Sequence, residues 1–468
     1  MSIEQEFDVI VLGSGPGGEG ASIRLAKEGR RVAVVEQQTE VGGTCTHAGT
    51  IPSKALIWIA QQLVENRHNR LHQAAGMCLR VGFEKMMEVV HQVVRLQIRE
   101  REGYYDRNDI SVLHGRGRFT GPHTVEVTGA DGVPRPYRAA HFVVATGSVP
   151  HRPADVDFSH PRVVDSDTVL DLEELPKSIT ILGAGVIGTE YASAFRHLGV
   201  KVNVVNMANR ILPTLDDEIS EALGYHLREQ GAILYNGEAF DHLELQDDGV
   251  VCHLKSGKAT RSDVFFWSVG RDGNSRGLGL EALGVEVTPR GHIRVNTDFQ
   301  TAVPHIYAVG DVIGHPGLAS ASYDQGLMAG THIFYGHRRY EPNKHIPTGI
   351  YTIPEIGAVG QTERALTEAK IPYEVGHAFF RNLARSQITG QTVGMLKILF
   401  HRQSLEVLGV HCFGHEASEI VHLGQSVMSQ PEGGNTLLYF VNTTLNYPTL
   451  AEAFRVAALN GLNRVAKL

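Results

Sequence analysis

Two stretches of the chain carry the same succession of apolar runs, glycines and polar stops. Residues 7–36 read FDVIVLGSGPGGEGASIRLAKEGRRVAVVE, and residues 178–206 read SITILGAGVIGTEYASAFRHLGVKVNVVN. Each opens on a short β-branched run, the pattern of a buried strand. Each then passes through Gly-x-Gly-x-x-Gly, at Gly13, Gly15 and Gly18 and again at Gly183, Gly185 and Gly188. A segment with apolar residues on one face follows and predicts a helix. That helix stops at Gly29 in one copy and Gly199 in the other, the left-handed position past a helix end. A second β-branched strand then ends at Glu36 or at Asn206. Turn glycines, helix stop and terminal polar residue all recur at the offset from Gly13 to Gly183, 170 residues.

Three more apolar runs end at glycine: HFVVATGS (141–148), DVFFWSVG (263–270) and HIYAVGD (305–311). In an open α/β sheet such strand ends line the ligand crevice. HIYAVGD lies downstream of the second repeat, so the repeat is expected to be inserted within a larger first domain. From about His345 the pattern changes. YTIPEIGAVG, MLKILF and EVLGVHCFG predict strands with helices after them, an α+β terminal domain. The expected boundaries are 1–150 with 275–344, then 151–274, then 345–468.

Composition narrows the class. The 468 residues include 51 glycines, well above ordinary usage, with no three-residue period and so no collagen. Net charge is −8, which leaves no basic footprint for nucleic acid. The longest charge-free stretch, 433–451, is broken by Gly, Asn, Thr and Pro, and predicts no membrane span. The start MSIEQEF is acidic and lacks the pattern of a signal peptide. Cys45, Cys78, Cys252 and Cys412 are unclustered, which argues against a disulfide scaffold or zinc knuckle and for a reducing compartment. The 24 histidines show no paired metal spacing, so no metal is expected. A cytoplasmic protein is the reading.

The paired fingerprints predict two Rossmann-like dinucleotide sites. The first glycine makes the tight turn, the second lets a pyrophosphate touch the backbone, and the third lets the helix pack on the strands. The phosphates then sit on free N–H groups at a helix start. Glu36 can accept from an adenosine ribose. Asn206 at the matching place carries no charge to repel a 2′-phosphate, and Arg210 four residues on could face one. The second site is therefore expected to take both NAD and NADP, unless Asn206 is simply a turn residue.

At GGTCTHAGTIPSKAL, residues 42–56, the chain resembles the FAD-dependent pyridine nucleotide–disulfide oxidoreductases. ATGS (145–148), SVGRDGN (268–274), IYAVGDVIG (306–314), TGIYTIPEIGAVG (348–360) and NYPTLAEAFRVA (446–457) extend the likeness over nearly the whole chain. The resemblance implies an α/β fold with an FAD domain, an NAD(P) domain and a C-terminal α+β dimerisation domain, in a homodimer or higher homo-oligomer. It implies FAD at Gly13, Gly15, Gly18, Glu36, Gly42, Gly43, Thr44, Cys45, Lys54, Thr146, Gly147, Gly310 and Asp311, with Asp311 on the ribitol chain. It implies NAD(P) at Gly183, Gly185, Gly188, Asn206, Arg210 and Gly270. Lys54 and Glu190 would form an ion pair near the flavin, where a cation stabilises the anionic reduced ring. Cys45 takes the position of the flavin-proximal thiol.

Two departures from the family pattern change the expected reaction. The family's Cys-x4-Cys is here Cys45 and Thr50, and the family's terminal His is here Tyr447, with Glu452 retained. Dithiol exchange needs two sulfurs, and a base near neutral pKa. Thr50 cannot form a disulfide, and Tyr447, with an ordinary pKa of about 10, is a poor base. What remains is hydride transfer between NADPH and NAD+ through the flavin. With one nicotinamide site, the expected kinetics are ping-pong. The alternatives are an NAD(P)H diaphorase, a dihydrolipoamide-dehydrogenase-like reductase, and a non-enzymatic flavoprotein redox sensor. Residues still to be placed are His47, expected to be structural, and Tyr447, which could cover the flavin pocket from a partner subunit.

Overall fold

The computed structural model describes residues 5–77, 79–339 and 343–465; Cys78 lies outside them. The chain forms two compact units, one of residues 1–55, 87–152 and 270–342, the other of 56–86, 153–269 and 343–468.

The first unit is built on a seven-stranded sheet. Gln5–Leu12 lies between Val32–Glu36 and Pro134–Val144, parallel to both. Ser111–His114 extends one edge, and Ile306–Ala308 pairs in parallel with Pro134–Val144. The strand around HIYAVGD thus returns to the first sheet, as its position after the second repeat suggested. Thr124–Thr128 and Arg116–Gly121 add an antiparallel hairpin to the other side. This hairpin and the 25-residue helix Phe83–Arg107 are additions that the periodic signal did not announce.

Val9, Val11 and Val34 face one side of that sheet and Ile10, Leu12 and Val35 the other, all nearly solvent-free. Two faces need two covers. Helix Pro16–Lys27 packs on one face together with helix Ala319–Tyr335. Those helices cross at glycine: a Cβ on Gly326 would stand 2.1 Å from the Gly17 carbonyl oxygen, and one on Gly20 2.4 Å from that of Tyr323. Part of the glycine excess is spent here, on helix contact rather than on turns.

The second unit repeats the theme. Its five-stranded sheet runs Ile233–Asn236, Lys201–Asn206, Ser178–Leu182, Val264–Trp267, Val163–Asp165, all parallel. A three-stranded antiparallel sheet spans Phe240–Gln246, Gly249–Leu254 and Ala259–Ser262. The terminal region forms a five-stranded antiparallel sheet, Thr348–Ile350, Glu355–Gly360, Val407–Gly414, Gly394–His401 and Tyr373–Phe379. Its apolar face, with Leu396, Ile398, Phe400 and Val410, packs under helices Ala417–Met428 and Glu452–Val465.

Within this unit a buried cation ties the repeat to the terminal sheet. Lys397, on strand Gly394–His401, is fully buried. Its ammonium lies 2.7 Å from Asp216 Oδ1 and 3.0 Å from Glu218 Oε2, and also bonds Glu363. The three carboxylates bring oxygens within 4.8 Å of one another, and Lys397 is the positive charge among them. His377 also donates to Glu218 at 2.9 Å, which together with Lys397 holds that carboxyl down at about 2. Burial opposes ionisation of Asp216, but the neighbouring His411, the hydrogen bond and charge of Lys397 and the Glu363 amide together outweigh it and lower the carboxyl.

Removing one partner of a buried charge cluster strands the rest. Lys397→Met should cost about 3 kcal/mol, the low end of that effect because Glu218 and Glu363 are partly open to water. Carboxylates with depressed pKa stabilise the fold above their unfolded value, about 4, and lose that contribution as pH falls toward 2. Acid unfolding followed by tryptophan fluorescence should therefore be steep between those values, and shallower in Lys397→Met.

Candidate functional site

Both fingerprints fold as strand, turn and helix, with 12-residue helices at Pro16–Lys27 and Val186–His197. Their N-caps, Gly15 and Gly185, are extended glycines that offer no side chain to the helix, which leaves first-turn N–H groups available to an anion. Gly13 has φ +104° and Gly183 +103°, a conformation that other residues rarely adopt. A Cβ on Gly18 would lie 1.9 Å from the Gly13 carbonyl oxygen, and one on Gly188 2.0 Å from that of Gly183.

In the first unit the expected cradle comes together. Gly43 reaches the fingerprint turn so closely that its Cβ would lie 2.9 Å from the Gly15 Cα. Gly42 is the N-cap of the short helix Gly43–His47, which carries Thr44 and Cys45. Glu36 is buried at the strand end and accepts from the Ser14 amide at 3.2 Å, the Ser14 hydroxyl at 2.5 Å and the Gln38 amide at 2.9 Å. The same hydroxyl oxygen accepts from the Gly42 amide at 2.8 Å. Ser14 is therefore a joint between the fingerprint, Glu36 and the second glycine loop. It was not singled out in the sequence because it occupies a variable position of the motif.

Further along the unit, Gly147 has φ +72° with open space beside it. Asn274 holds this strand end, donating to the Thr146 carbonyl at 3.2 Å through its side chain and to that of Gly147 at 2.9 Å through its amide. Asp311, in the turn Gly310–Ile313, accepts from the Ser148 hydroxyl at 3.0 Å, and Arg271 donates to that hydroxyl at 2.8 Å. The Gly310 amide donates to Gln325 at 2.7 Å. Among the described residues, the buried hydroxyls of Thr46 and Thr146 have no hydrogen-bond partner. Unpartnered hydroxyls beside a glycine cradle are what a bound polar cofactor would satisfy, so the residues present fit a dinucleotide such as FAD.

Cys45 and Thr50 lie side by side, as the Cys-x4-Cys spacing predicts, with the Thr50 side chain hydrogen-bonded to the thiol. Burial pushes the thiol upward, and this outweighs the opposing Thr50 hydrogen bond and the nearby charges of Arg101 and Lys54. Glu19, 3.3 Å from Arg101 through its carboxylate, is likewise raised by burial. Lys54 is the fifth residue of helix Thr50–His68. His47 bonds the Val41 carbonyl at 2.9 Å, a structural role.

In the second unit, Ser268 seals the fingerprint turn, its hydroxyl donating to the Leu182 carbonyl at 2.7 Å. Glu190 is buried on the fingerprint helix, and its carboxylate accepts from the Tyr351 amide at 2.9 Å. Asn206 has the turn role that the sequence left open. Its amide donates to the carbonyls of Ala208 at 2.9 Å and Arg210 at 2.8 Å, so its donors are spent inside the turn rather than offered outward. A strand-end amide with two carbonyls in reach satisfies them before it waits for a ligand. The Arg210 guanidinium pairs with Asp217 at 2.6 Å. Gly270 has φ +82°, and its carbonyl accepts from the His151 amide at 3.1 Å. Tyr447 is 66 % exposed, while the Glu452 Oε2 is buried.

Two anion-ready helix starts, each followed by a strand that ends on a polar residue, define a two-nucleotide α/β oxidoreductase scaffold. The chain belongs to the pyridine nucleotide-disulphide oxidoreductase family, whose model matches residues 7–326, with the family's dimerisation domain at 346–458. It is 52% identical to the soluble pyridine nucleotide transhydrogenase of Vibrio cholerae, over 99% of this chain and 100% of that one. It is 51% identical to the protein of the same name from Salmonella gallinarum, over 98% and 99%. Among solved structures, the Cu(II) complex of the HOCl-induced flavoprotein disulfide reductase RclA from Escherichia coli superposes with a TM-score of 0.88 at 25% identity, covering 98% and 99% of the two chains. LpdA from Mycobacterium tuberculosis has the same fold, with a TM-score of 0.88 at 24% identity over 97% and 99%. Among the described residues no helix is long and apolar enough to cross a membrane.

A raised thiol pKa means that Cys45 is protonated at neutral pH and becomes a thiolate only in alkali. Alkylation of the folded protein by iodoacetamide, read at the Cys45 peptide by mass spectrometry, should be slow at pH 7 and rise only above the ordinary thiol range, near 8.5. The holoprotein should then show no long-wavelength thiolate–flavin absorbance band at pH 7, and Cys45→Ser should leave the visible spectrum unchanged.

Proposed function

We propose that the protein is an FAD-dependent transhydrogenase that moves hydride between NADPH and NAD+. The observation that carries this reading is the presence of two intact nucleotide cradles together with a redox position that holds one sulfur only. Thr50 stands against Cys45, so the family's Cys-x4-Cys disulfide has no second sulfur here, and Tyr447 replaces a near-neutral base. The full-length likeness to soluble pyridine nucleotide transhydrogenases supports the same reaction. FAD, when bound, supplies a two-electron carrier that can take hydride from one nicotinamide nucleotide and return it to another.

The residues have separable tasks in this proposal. Gly13, Gly15, Gly18, Gly42 and Gly43 let phosphates and ring approach the backbone, with Thr44 on the helix beside them. Glu36, oriented by Ser14, takes the adenosine ribose of FAD. Thr146, Gly147, Gly310 and Asp311 line the flavin end, with Ser148 holding Asp311 in place. Lys54 and Glu190 act as the ion pair the family resemblance implies, a charge that favours the reduced ring. Cys45 contributes as a neutral thiol. Gly183, Gly185 and Gly188 cradle the nicotinamide nucleotide, and Asn206 shapes the turn that presents Arg210. Gly270 lines the same nucleotide. The domain assignment proposed is FAD on 1–150 with 275–344, NAD(P) on 151–274, and subunit contact through 345–468, in a cytoplasmic homodimer or higher homo-oligomer.

With one nicotinamide site, the first product must leave before the second nucleotide enters. Initial rates with NADPH and a thio-analogue of NAD+, without any other acceptor, should give parallel double-reciprocal lines. In stopped flow, NADPH should bleach the flavin and NAD+ restore it. Bleaching that only quinones or dyes reverse would make the protein a diaphorase instead, and no bleaching would make it a sensor or assembly subunit. Asn206→Glu removes both turn donors and adds a charge, so it should raise the NADPH KM by about tenfold or more, with a smaller effect on NADH.

A further inference from the structure

The loop after strand Lys201–Asn206 is anchored at three points. Asn206 donates to the Arg210 carbonyl at 2.8 Å, and the Leu212 amide donates to the Ala184 carbonyl of the fingerprint turn at 2.8 Å. The Ser220 hydroxyl, on helix Asp217–Glu229, holds the Leu212 carbonyl at 3.0 Å. The Arg210 backbone is therefore fixed at the adenosine end of the proposed nucleotide site, and only its side chain is left to choose a partner. That partner is Asp217, the first residue of the helix, at 2.6 Å.

Asp217 has a second cation. Arg364 donates to its other oxygen, Oδ1, at 2.8 Å, and is itself braced by the carbonyls of Pro213 at 3.0 Å and Leu215 at 3.3 Å. Arg210 uses Oδ2. The carboxylate is thus shared, one oxygen to each guanidinium. If Arg210 left, Asp217 would keep a charge partner whose own position is set by backbone. The side chains of Asp217 and Arg210 are 44% and 28% exposed, so their pair is a weak, water-screened one. A phosphate dianion with three acceptor oxygens is a stronger partner for a guanidinium than a half-exposed carboxylate already shared with another arginine.

We propose that Asp217 is a positioning residue for nucleotide choice: it holds the Arg210 guanidinium when the ribose carries a 2′-hydroxyl and releases it to a 2′-phosphate, while Arg364 retains the carboxylate. This rests on reading the Gly183 turn as the nicotinamide nucleotide site. It explains how one site serves both nucleotides. With NAD+ the arginine is neutralised by the protein, and with NADP+ by the ligand, so neither complex leaves an unpaired charge.

The test is titration calorimetry of the oxidised, FAD-loaded protein with NADP+ and NAD+, and with adenosine 2′,5′-bisphosphate and AMP as probes of the adenosine end alone. Asp217→Asn frees Arg210 in advance. It should tighten NADP+ and the bisphosphate about two- to fivefold, the worth of an exposed ion pair, and leave NAD+ and AMP unmoved. Arg210→Ala should weaken NADP+ about tenfold or more and spare NAD+. The deciding measurement is the double variant: on the Arg210→Ala background, Asp217→Asn should no longer tighten NADP+. If it tightens NADP+ equally there, Asp217 acts by simple repulsion and the tether is refuted. An unchanged NADP+ to NAD+ ratio in Asp217→Asn, repeated in Asp217→Ser with wild-type FAD content and melting temperature, refutes it as well. If Arg210→Ala spares NADP+, the arginine is no phosphate reader and the proposal falls with it. Failure of the transhydrogenase reading is seen separately, as wild-type protein that binds both nucleotides yet passes no hydride.

Discussion

The structure depends on backbone passing where a β-carbon cannot. At Gly18 and Gly188 the helix start lies against the carbonyl of the turn's first glycine, with room for a hydrogen and nothing larger. That closeness brings the helix N-terminus onto the sheet edge and leaves its first N–H groups aimed outward with no side-chain cap. A phosphate binding there gains charge-assisted hydrogen bonds that need no lysine or arginine. It follows that a mildly acidic chain can hold anionic nucleotides without a basic surface. The same economy of volume recurs where helices Pro16–Lys27 and Ala319–Tyr335 cross through glycines.

The redox position shows how little chemistry must change for a different reaction to follow on the same scaffold. Thr50 stands next to Cys45, hydrogen-bonded to its thiol, and lacks the one thing dithiol exchange needs at that place, a second sulfur. Burial then holds the remaining sulfur as a thiol. Around it stand the ion pair of Glu19 with Arg101 and the charge of Lys54, all within one unit.

Much of this was legible in the chain. The two strand–turn–helix–strand copies fold as their periodicity predicts, to the residue at Glu36 and Asn206, because β-branched runs bounded by glycine leave few alternatives. The return of HIYAVGD to the first sheet was legible from order alone. The hairpin Arg116–Gly121 with Thr124–Thr128 was not: its burial alternates as a strand's should, but the runs are only six and five residues long, and RGRFTG offers a single large apolar residue, Phe119. Ser14 was missed for another reason: a serine in a turn is ordinary, and its value lies in meeting Glu36 and Gly42, both distant in sequence. At Asn206 the sequence shows only an uncharged strand end; that the carbonyls of Ala208 and Arg210 take its amide hydrogens is set by the folded turn.

By itself the sequence determined the repeat, the positions of the glycines and the absence of a second redox cysteine, because each is a property of one residue or of a local period. Which side chains are paired with which was decided only by tertiary structure. Lys397 sits in a run of apolar residues and reads as an interruption until Asp216, Glu218 and Glu363 converge on it from two other segments. Arg210 reads as a free cation until a helix start and a residue more than a hundred positions away bring Asp217 and Arg364 alongside. Charges act through space, over a few ångströms, and a linear pattern carries no record of distances that only folding sets.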